Sequence, residues 1–278
     1  MKTSDRIASF LEKSIMTAKG IVKILLQSRR PELKTEPRDG RRLIIMGNGP
    51  SLADTIRNHK EALLTSDTMA VNFAANAPEF FELRPKYYIL ADPHFFTSDD
   101  DNVAKLKKNI SRVDWPMTLL IPAGSSWDEE SSAGPVSVAH FNAVGVEGFE
   151  FFTRRAFRNG IAMPRPRNVL IPAIMTGITL GYKDITIVGA DHTWTQTLSV
   201  NDNNEVISIQ PHFYKETSSE ETRIKAVYRD VKLHEILYSF HVAFRAYHQI
   251  KKFADSQGVR ITNATPGSFI DAFPRIGL

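Results

Sequence analysis

Cysteine is absent from all 278 residues of the chain. This absence excludes a disulfide framework, a zinc site with thiolate ligands and a cysteine nucleophile, and it fits a reducing compartment. The sequence also has no run of about eighteen apolar residues and no N-terminal signal peptide with a small-residue cleavage site. With 42% hydrophobic and 24% charged residues, the composition is that of an ordinary globular protein, and we expect it in the cytoplasm.

Outside the N-terminal segment the chain has no excess of positive over negative charge. The formal net charge is +4, but residues 1–42 alone carry +6 and the remaining 236 residues sum to −2. Proteins that grip nucleic acid have a basic patch on the folded body. The sequence therefore predicts no nucleic-acid partner.

The N-terminal segment has the pattern of an amphipathic basic helix. Mostly apolar or small side chains recur at helical spacing, namely Ile7, Phe10, Leu11, Ser14, Ala18, Ile21, Val22 and Leu25. Basic residues from Lys13 to Arg30 surround and follow this stripe. Such helices lie on anionic membranes, so this pattern predicts that residues 1–30 contact the inner face of the membrane. The stripe equally fits packing on the protein's own body or on a second subunit of a homo-oligomer.

Residues 31–42 are polar and contain two prolines, which predicts a linker. We therefore divide the chain into a basic helical arm with its linker at residues 1–42 and a main domain at residues 43–278. The domain begins with an apolar run, Leu43 to Met46, followed by Gly47-Asn48-Gly49-Pro50-Ser51. This pattern predicts a buried strand, a tight turn and the start of a helix.

The turn from Gly47 to Ser51 is the first candidate site. Gly47 and Gly49 can take backbone angles closed to other residues and let a ligand approach the main chain. Pro50 suits a first helical turn, and Ser51 supplies a hydroxyl there. Free N–H groups at a helix start bind anions. The pattern favours a phosphate over this turn; the other interpretation is a strand-to-helix turn that binds nothing.

Strands and helices alternate along the rest of the domain. We predict strands at residues 68–73, 85–93, 117–122, 136–141, 184–191 and 259–263, and helices at 52–64, 168–180 and 223–257. The fold class is therefore α/β, a Rossmann-like parallel sheet flanked by helices, with a small lid at about residues 193–222. Such sheets bind ligands at the carboxyl ends of their strands, where Asn48, Asn72, Asp92 and Asp191 are expected.

Several segments resemble, in the same order, the bacterial sialyltransferases of glycosyltransferase family 42 and the related MptE-like superfamily. They are Ile44 to Leu52, the strand-end Asn72, Asp92-Pro93-His94-Phe95-Phe96, Leu180 to Ile185 running into Gly189-Ala190-Asp191, and Asn263-Ala264-Thr265-Pro266-Gly267-Ser268. These segments span most of residues 43–273. The resemblance implies one Rossmann-like domain with a lid and transfer of an acidic sugar from a CMP-activated donor to a saccharide acceptor. It also implies surface glycans such as lipopolysaccharide or capsule as products, with no metal and no bound cofactor.

The resemblance also implies roles for individual residues. The loop from Gly47 to Ser51, with Asn48, would hold the donor phosphate and ribose, and Asn72 would face the nucleotide. Asp92 stands where the sialyltransferases carry an asparagine, so this contact would differ. The terminal turn, with Asn263, Thr265, Pro266, Gly267 and Ser268, would close the cytosine side.

The family's general base is a lid histidine, and His212 is the best positional candidate; His192, beside Asp191, is the rival. Imidazole suits this task because its pKa lies near neutrality. Tyr214 would donate a hydrogen bond to the departing phosphate, with Lys215 or Arg223 adding positive charge. Thr193 stands where the family has a tyrosine.

Two other functions stay open at this point. An MptE-like pterin pyrophosphokinase would need ATP and Mg²⁺, for which Asp92 and Asp191 could serve. A non-catalytic nucleotide-binding protein is the third interpretation. The acidic run Asp99-Asp100-Asp101 is interpreted as a solvated turn, and no metal site is predicted.

Overall fold

The computed structural model describes residues 3–38, 40–127, 134–207 and 231–278. The strands in chain order are β1 (Arg42–Met46), β2 (Asp67–Val71), β3 (Tyr87–Ile89), β4 (Met117–Pro122), β5 (Val136–Phe141), β6 (Asp184–Val188), β7 (Ser199–Val200), β8 (Val206–Ile207) and β9 (Arg260–Asn263). Seven of them form one sheet in the order β5-β4-β3-β2-β1-β6-β9, and every pair in it is parallel. β7 and β8 form a separate antiparallel hairpin.

The helices of the described ranges lie on both faces of this sheet. They are α1 (Thr3–Gln27), α2 (Ser51–Thr65), α3 (Glu79–Leu83), α4 (His94–Thr97), α5 (Asp101–Ile110), α6 (Glu150–Arg158), α7 (Leu170–Thr179) and α8 (Leu233–Ser256), with 3-10 turns at Asn72–Asn76 and Trp194–Thr197. The predicted α/β class with a Rossmann-like parallel sheet is confirmed, and so is the N-terminal helix.

Burial on both faces explains why β1 is a continuous apolar run. Leu43 and Ile45 belong to the core that α7 and α8 cover, whereas Ile44 and Met46 belong to the core that α2 and α5 cover. A strand with a core on each face needs apolar residues at every position rather than at alternate ones. In β6, Ile185, Ile187 and Val188 follow the same pattern, and the buried Thr186 is the exception, with its hydroxyl 3.1 Å from that of Thr262.

Several predicted boundaries differ from the structure. The long helix was predicted from residue 223 but begins at Leu233, because Lys232 is extended and its N–H donates to Glu235 at 2.8 Å. Residues 223–230 lie outside the described ranges. β3 ends at Ile89 rather than at residue 93, since Pro93 already has the helical angles that start α4. Within the predicted lid, the described part holds the turn at Trp194–Thr197 and the hairpin of β7 and β8.

Helix α1 packs on the domain through one of its faces. Thr17 Oγ1 accepts a hydrogen bond from the Phe149 N–H at 2.9 Å, and Gly20 leaves room for the ring of Phe152. Beyond the helix, Asn142 Oδ1 accepts from the Arg29 N–H at 2.7 Å, and Asn142 Nδ2 donates to the Arg29 carbonyl at 3.0 Å. These contacts hold the N-terminal segment against the start of α6 and the end of β5. Within the described ranges, no helix combines the length and the apolar character needed to cross a bilayer.

Candidate functional site

The sheet order places a topological switch point between β1 and β6. From β1 the chain moves through β2, β3, β4 and β5 in one direction, and then crosses to β6 on the other side of β1. In open α/β sheets, ligands bind outside the carboxyl ends of the strands at such a point. The turn after β1 and the turn after β6 meet there.

Gly47 and Gly49 bring these two turns into direct contact. The Gly47 N–H donates to the Val188 carbonyl and the Gly49 N–H donates to the Gly189 carbonyl, both at 2.8 Å. A Cβ on Gly47 would lie 2.5 Å from the Gly189 oxygen. This corrects the expected role of the two glycines: their missing side chains admit the neighbouring turn of the protein, and two amides expected to face a phosphate are already bonded.

The side chain of Asp191 lies at the N-terminus of α2. Its carboxylate accepts from Ser51 Oγ at 2.8 Å and lies 3.4 Å from the Ser51 nitrogen. A Cβ on Gly49 would lie 1.9 Å from Asp191 Oδ2, so Gly49 also makes room for this carboxylate. Pro50 precedes the helix with φ −56, as its predicted position requires. A negative side chain thus interacts with the helix dipole where a phosphate was expected.

Two buried amide oxygens at this edge have no donor among the described residues. Asn48 Nδ2 donates to the Val71 carbonyl at 3.1 Å, which brings Asn48 to the end of β2, next to Asn72. Asn48 Oδ1 and Asn72 Oδ1 are both buried without a hydrogen-bond partner in the part of the chain that the structure describes. Asn72 has a left-handed backbone, with φ 49. The structure therefore brings together Asn48, Ser51, Asn72 and Asp191, four of the predicted residues.

Asp92 and Thr193 lie at the same edge but outside this cluster. Asp92 is exposed, and its Oδ1 accepts from the His94 N–H at 2.9 Å, so it stabilises the first turn of α4. Its strand, β3, is separated from β1 by β2. Thr193 precedes the turn at Trp194–Thr197 and is half-buried.

The terminal turn is fixed by its own polar side chains. Asn263, Thr265 and Ser268 are all buried. Asn263 Nδ2 donates to Ser268 Oγ at 3.0 Å, Ser268 Oγ donates to the Ala190 carbonyl at 2.6 Å, and Thr265 Oγ1 accepts from the Ala190 N–H at 3.1 Å. This corrects the expectation that these three side chains contact a base, because they tie the turn to the end of β6. Pro266 and Gly267 are exposed.

His192 follows Asp191 and is enclosed by aromatic rings. Its ring centroid lies 4.1 Å from that of Trp194 and 6.3 Å from that of Phe244, and the residue is 9% exposed. Its backbone is left-handed, with φ 53. The side chain therefore points into the layer between the sheet edge and α8.

A chain of hydrogen bonds fixes the tautomer of His192. Asn168 Oδ1 accepts from the Leu170 N–H at 3.0 Å, so this oxygen, not the amide nitrogen, faces the hydroxyl of Tyr247 at 2.9 Å. Tyr247 must therefore donate its one proton to Asn168. The Tyr247 oxygen lies 2.7 Å from His192 Nε2, and it can only accept there. It follows that Nε2 of His192 carries the proton and Nδ1 holds the lone pair.

The environment of His192 corrects its candidacy as the general base. Burial lowers the pKa of His192 to about 3, because the imidazolium would lose its hydration. A base with such a pKa takes up a proton poorly at neutral pH. Burial likewise raises the pKa of Tyr247, so the pair stays neutral. We interpret His192 as a neutral hydrogen-bonding residue.

The chain matches no family model, and no curated protein matches its sequence. A solved structure is similar to it. This is the MAf glycosyltransferase from Magnetospirillum magneticum AMB-1, with 10% sequence identity and a TM-score of 0.49. The match covers 95% of this chain and 38% of that protein, so the chain spans less than two fifths of its length. At this identity and TM-score the likeness establishes no shared activity.

The remaining predicted catalytic residues, His212 and Tyr214, lie outside the described ranges, as do Lys215 and Arg223. In the predicted acidic turn, Asp100 caps α5 by accepting from the N–H of Asn102 at 2.9 Å. Within the described ranges, no three His, Asp or Glu side chains are grouped so as to hold a metal ion.

Sequence reasoning missed Tyr247 and the ring of Trp194 as neighbours of the site. Tyr247 is one of the buried residues of the long helix α8, and its place in the apolar stripe of that helix predicts a core residue. No local pattern separates it from the other buried residues of that helix. The sequence indicated only that Asn168 begins the predicted helix at residues 168–180; it did not indicate that this side chain contacts Tyr247.

Proposed function

We propose that the protein is a glycosyltransferase that moves an acidic sugar from a CMP-activated donor to a saccharide acceptor of a surface glycan. The observation that carries this proposal is the cluster of acceptor oxygens at the switch point. Asn48, Asn72 and Asp191 follow β1, β2 and β6 at this edge, and the amide oxygens of Asn48 and Asn72 lack a donor among the described residues. The ordered sequence resemblance supports the same proposal.

Acceptor oxygens select ligand groups that carry protons. Ribose hydroxyls and the exocyclic amine of cytosine are donors, so the nucleoside part of the donor fits this cluster. A phosphate fits it poorly, because two unit charges about 4 Å apart repel by roughly 4 kcal/mol at an effective dielectric constant near 20. We therefore place the nucleoside beside Asp191 and the phosphate away from it, toward the lid.

The chemical step needs a base for the acceptor hydroxyl. In our proposal, His212 takes the hydroxyl proton as the acceptor oxygen forms its bond to the anomeric carbon of the sugar. The bond from that carbon to the phosphate oxygen breaks, and CMP leaves with its negative charge stabilised by Tyr214. His212→Ala should lower turnover by about two to four orders of magnitude and leave CMP affinity nearly unchanged. A fully active variant would remove His212 from this role.

Ligand-induced thermal stabilisation tests the choice of nucleotide. A ligand at 100 times its Kd stabilises the native state by about 2.7 kcal/mol, which raises Tm by roughly 5–10 °C for a chain of this size. We expect stabilisation by CMP without added metal. Stabilisation by ATP only with Mg²⁺ would favour the pyrophosphokinase, and no response to CMP, CDP, ATP or NAD would contradict a nucleotide site.

A matched pair of variants tests the position of the nucleotide. Asn72→Gly removes the unpaired amide oxygen and keeps the left-handed backbone, whose φ is 49. One lost hydrogen bond should weaken CMP binding by about 2- to 10-fold. Asn204→Gly is the control, since Asn204 has φ 57 in the hairpin turn and is exposed. Equal CMP affinity in both variants would place the nucleotide elsewhere.

A further inference from the structure

Helix α1 has a second face, opposite the one that packs on the domain. The inner face carries Thr17 and Gly20, which contact Phe149 and Phe152, and Ile24, which packs against the core. At 100° per residue, positions 7, 11, 15, 18, 22 and 25 lie on the opposite side of the helix. No other element in the described ranges covers that side, as the exposure of its side chains shows.

The outer face of α1 is apolar from Ile7 to Leu25. Its large side chains, together with those of Ile21 and Leu26 beside them, are between 46% and 77% exposed; the others are Ile7, Leu11, Ile15, Val22 and Leu25. No charged residue interrupts the row formed by Leu11, Ile15, Ala18, Val22 and Leu25. A contiguous exposed patch of this kind marks an interaction surface.

Aromatic residues extend this patch beyond the helix. The ring centroid of Phe10 lies 5.3 Å from that of Phe149, and Phe149 in turn stacks on Phe151 with the centroids 5.9 Å apart. Phe10 is 59% exposed and Phe151 is 74% exposed. The apolar surface therefore continues from α1 onto the start of α6. It is broader than the narrow stripe that two paired helices bury between them.

Basic residues border the patch. Lys19 and Lys23 lie on one flank of the outer face, which Glu12 shares, and Arg29 and Arg30 follow the helix. Residues 1–42 carry a net charge of +6, whereas the rest of the chain carries −2. An anionic surface attracts this segment, while a second copy would bring another segment of the same charge against it.

We propose that the outer face of α1, together with Phe151, lies in the interfacial layer of an anionic lipid bilayer. The helix lies parallel to the membrane plane, with its apolar side chains among the acyl chains and its lysines at the headgroups. The folded domain, which packs on the inner face of α1, then lies next to the membrane surface. This proposal concerns location and is independent of the proposed transfer reaction.

Vesicle flotation of the full chain tests this proposal. We expect binding to mixed phosphatidylcholine–phosphatidylglycerol vesicles and much weaker binding to phosphatidylcholine alone. The double variant Ile15→Asn/Val22→Asn should lower the partition coefficient roughly 30-fold, since two half-exposed apolar side chains no longer enter the bilayer. Leu64→Asn is the matched control: Leu64 is 53% exposed, like Val22, but lies on α2.

A second pair of changes tests the charge. Lys19→Gln and Lys23→Gln should each lower the partition coefficient on the mixed vesicles by about fivefold. Both lysines are exposed, so these variants should fold as the parent does. Light scattering after size-exclusion chromatography gives the oligomeric state. A parent chain that does not float with the mixed vesicles overturns the proposal, and so does a dimer that Ile15→Asn/Val22→Asn converts to monomer without any loss of flotation. Loss of flotation in Leu64→Asn equal to that in the double variant overturns it as well.

Discussion

The burial of His192 predicts that acid destabilises the fold through this one residue. The pKa of His192 is lowered by burial to about 3 in the native state, whereas a histidine in the unfolded chain titrates near 6.5. Between these two values the unfolded state binds a proton that the native state does not. Stability must therefore fall as the pH drops below about 6.5, and the fall continues until the native state also takes up the proton, near pH 3.

The magnitude follows from the unfolded pKa alone over most of this range. From about pH 7.5 to about pH 5.5, protonation of the unfolded state should lower the free energy of unfolding by about 1–2 kcal/mol. The pKa of His192 in the native state hardly affects this result, because at pH 5.5 His192 in the folded protein is still neutral. The groups nearest the ring are Tyr247, at 2.7 Å, and the aromatic rings of Trp194 and Phe244, none of which is charged.

Urea denaturation of the parent and of His192→Asn measures this effect. Asparagine tolerates the left-handed backbone at this position, so the substitution removes the titrating ring with little backbone strain. The variant is less stable at every pH, but its loss between about pH 7.5 and 5.5 should be smaller than that of the parent by about 1–2 kcal/mol. All other titrating groups cancel in this difference. Equal losses in both proteins would refute the burial argument.

Two further substitutions test the contacts around the site. Tyr247→Phe removes the acceptor of the His192 Nε2–H group and should lower the free energy of unfolding by about 1–3 kcal/mol. In ¹⁵N NMR spectra, His192 should be a single Nε2–H tautomer in the parent and a mixture of tautomers in the variant. An unchanged tautomer would contradict the hydrogen-bond assignment. Gly47→Ala places a Cβ 2.5 Å from the backbone oxygen of Gly189 and should cost about 1–3 kcal/mol by urea denaturation. Gly277→Ala, where a Cβ meets nothing within 4 Å, should change stability by less than about 0.5 kcal/mol, and similar values for the two would contradict the close approach of the turns.

The strands were predictable because burial on both faces leaves a strong local signal. The runs that became β1, β4 and β6 are rich in apolar residues, and polar or turn-forming residues follow each of them. Gly181, predicted to end α7, has φ 97 and lies just beyond its last residues. The switch point follows from the strand order, which the sequence alone did not determine.

The roles of polar residues were less predictable. Asn48, Ser51, Asn72 and Asp191 do gather at one edge, as their positions after strands indicated. Asn263 is the last residue of β9 and Ser268 follows that strand, yet Asn263 is completely buried and bonded within the protein. A single sequence does not separate these cases, because a polar residue after a strand can serve a turn or a ligand. Only its partners in space decide.

The backbone of His192 gives an independent reason to place function at this edge. The non-glycine residues with positive φ in the described ranges are Asn72, Arg84, His192 and Asn204. Arg84 ends α3 and Asn204 lies in a hairpin turn, where such angles are ordinary. Asn72 and His192 instead follow β2 and β6 at the switch-point edge. A left-handed angle costs His192 roughly 1 kcal/mol or more, and the Tyr247 hydrogen bond and the Trp194 stack offset that cost. Strain held in place by such contacts is typical of a site that must present side chains in one fixed direction, and the nucleoside recognition that we propose would require this.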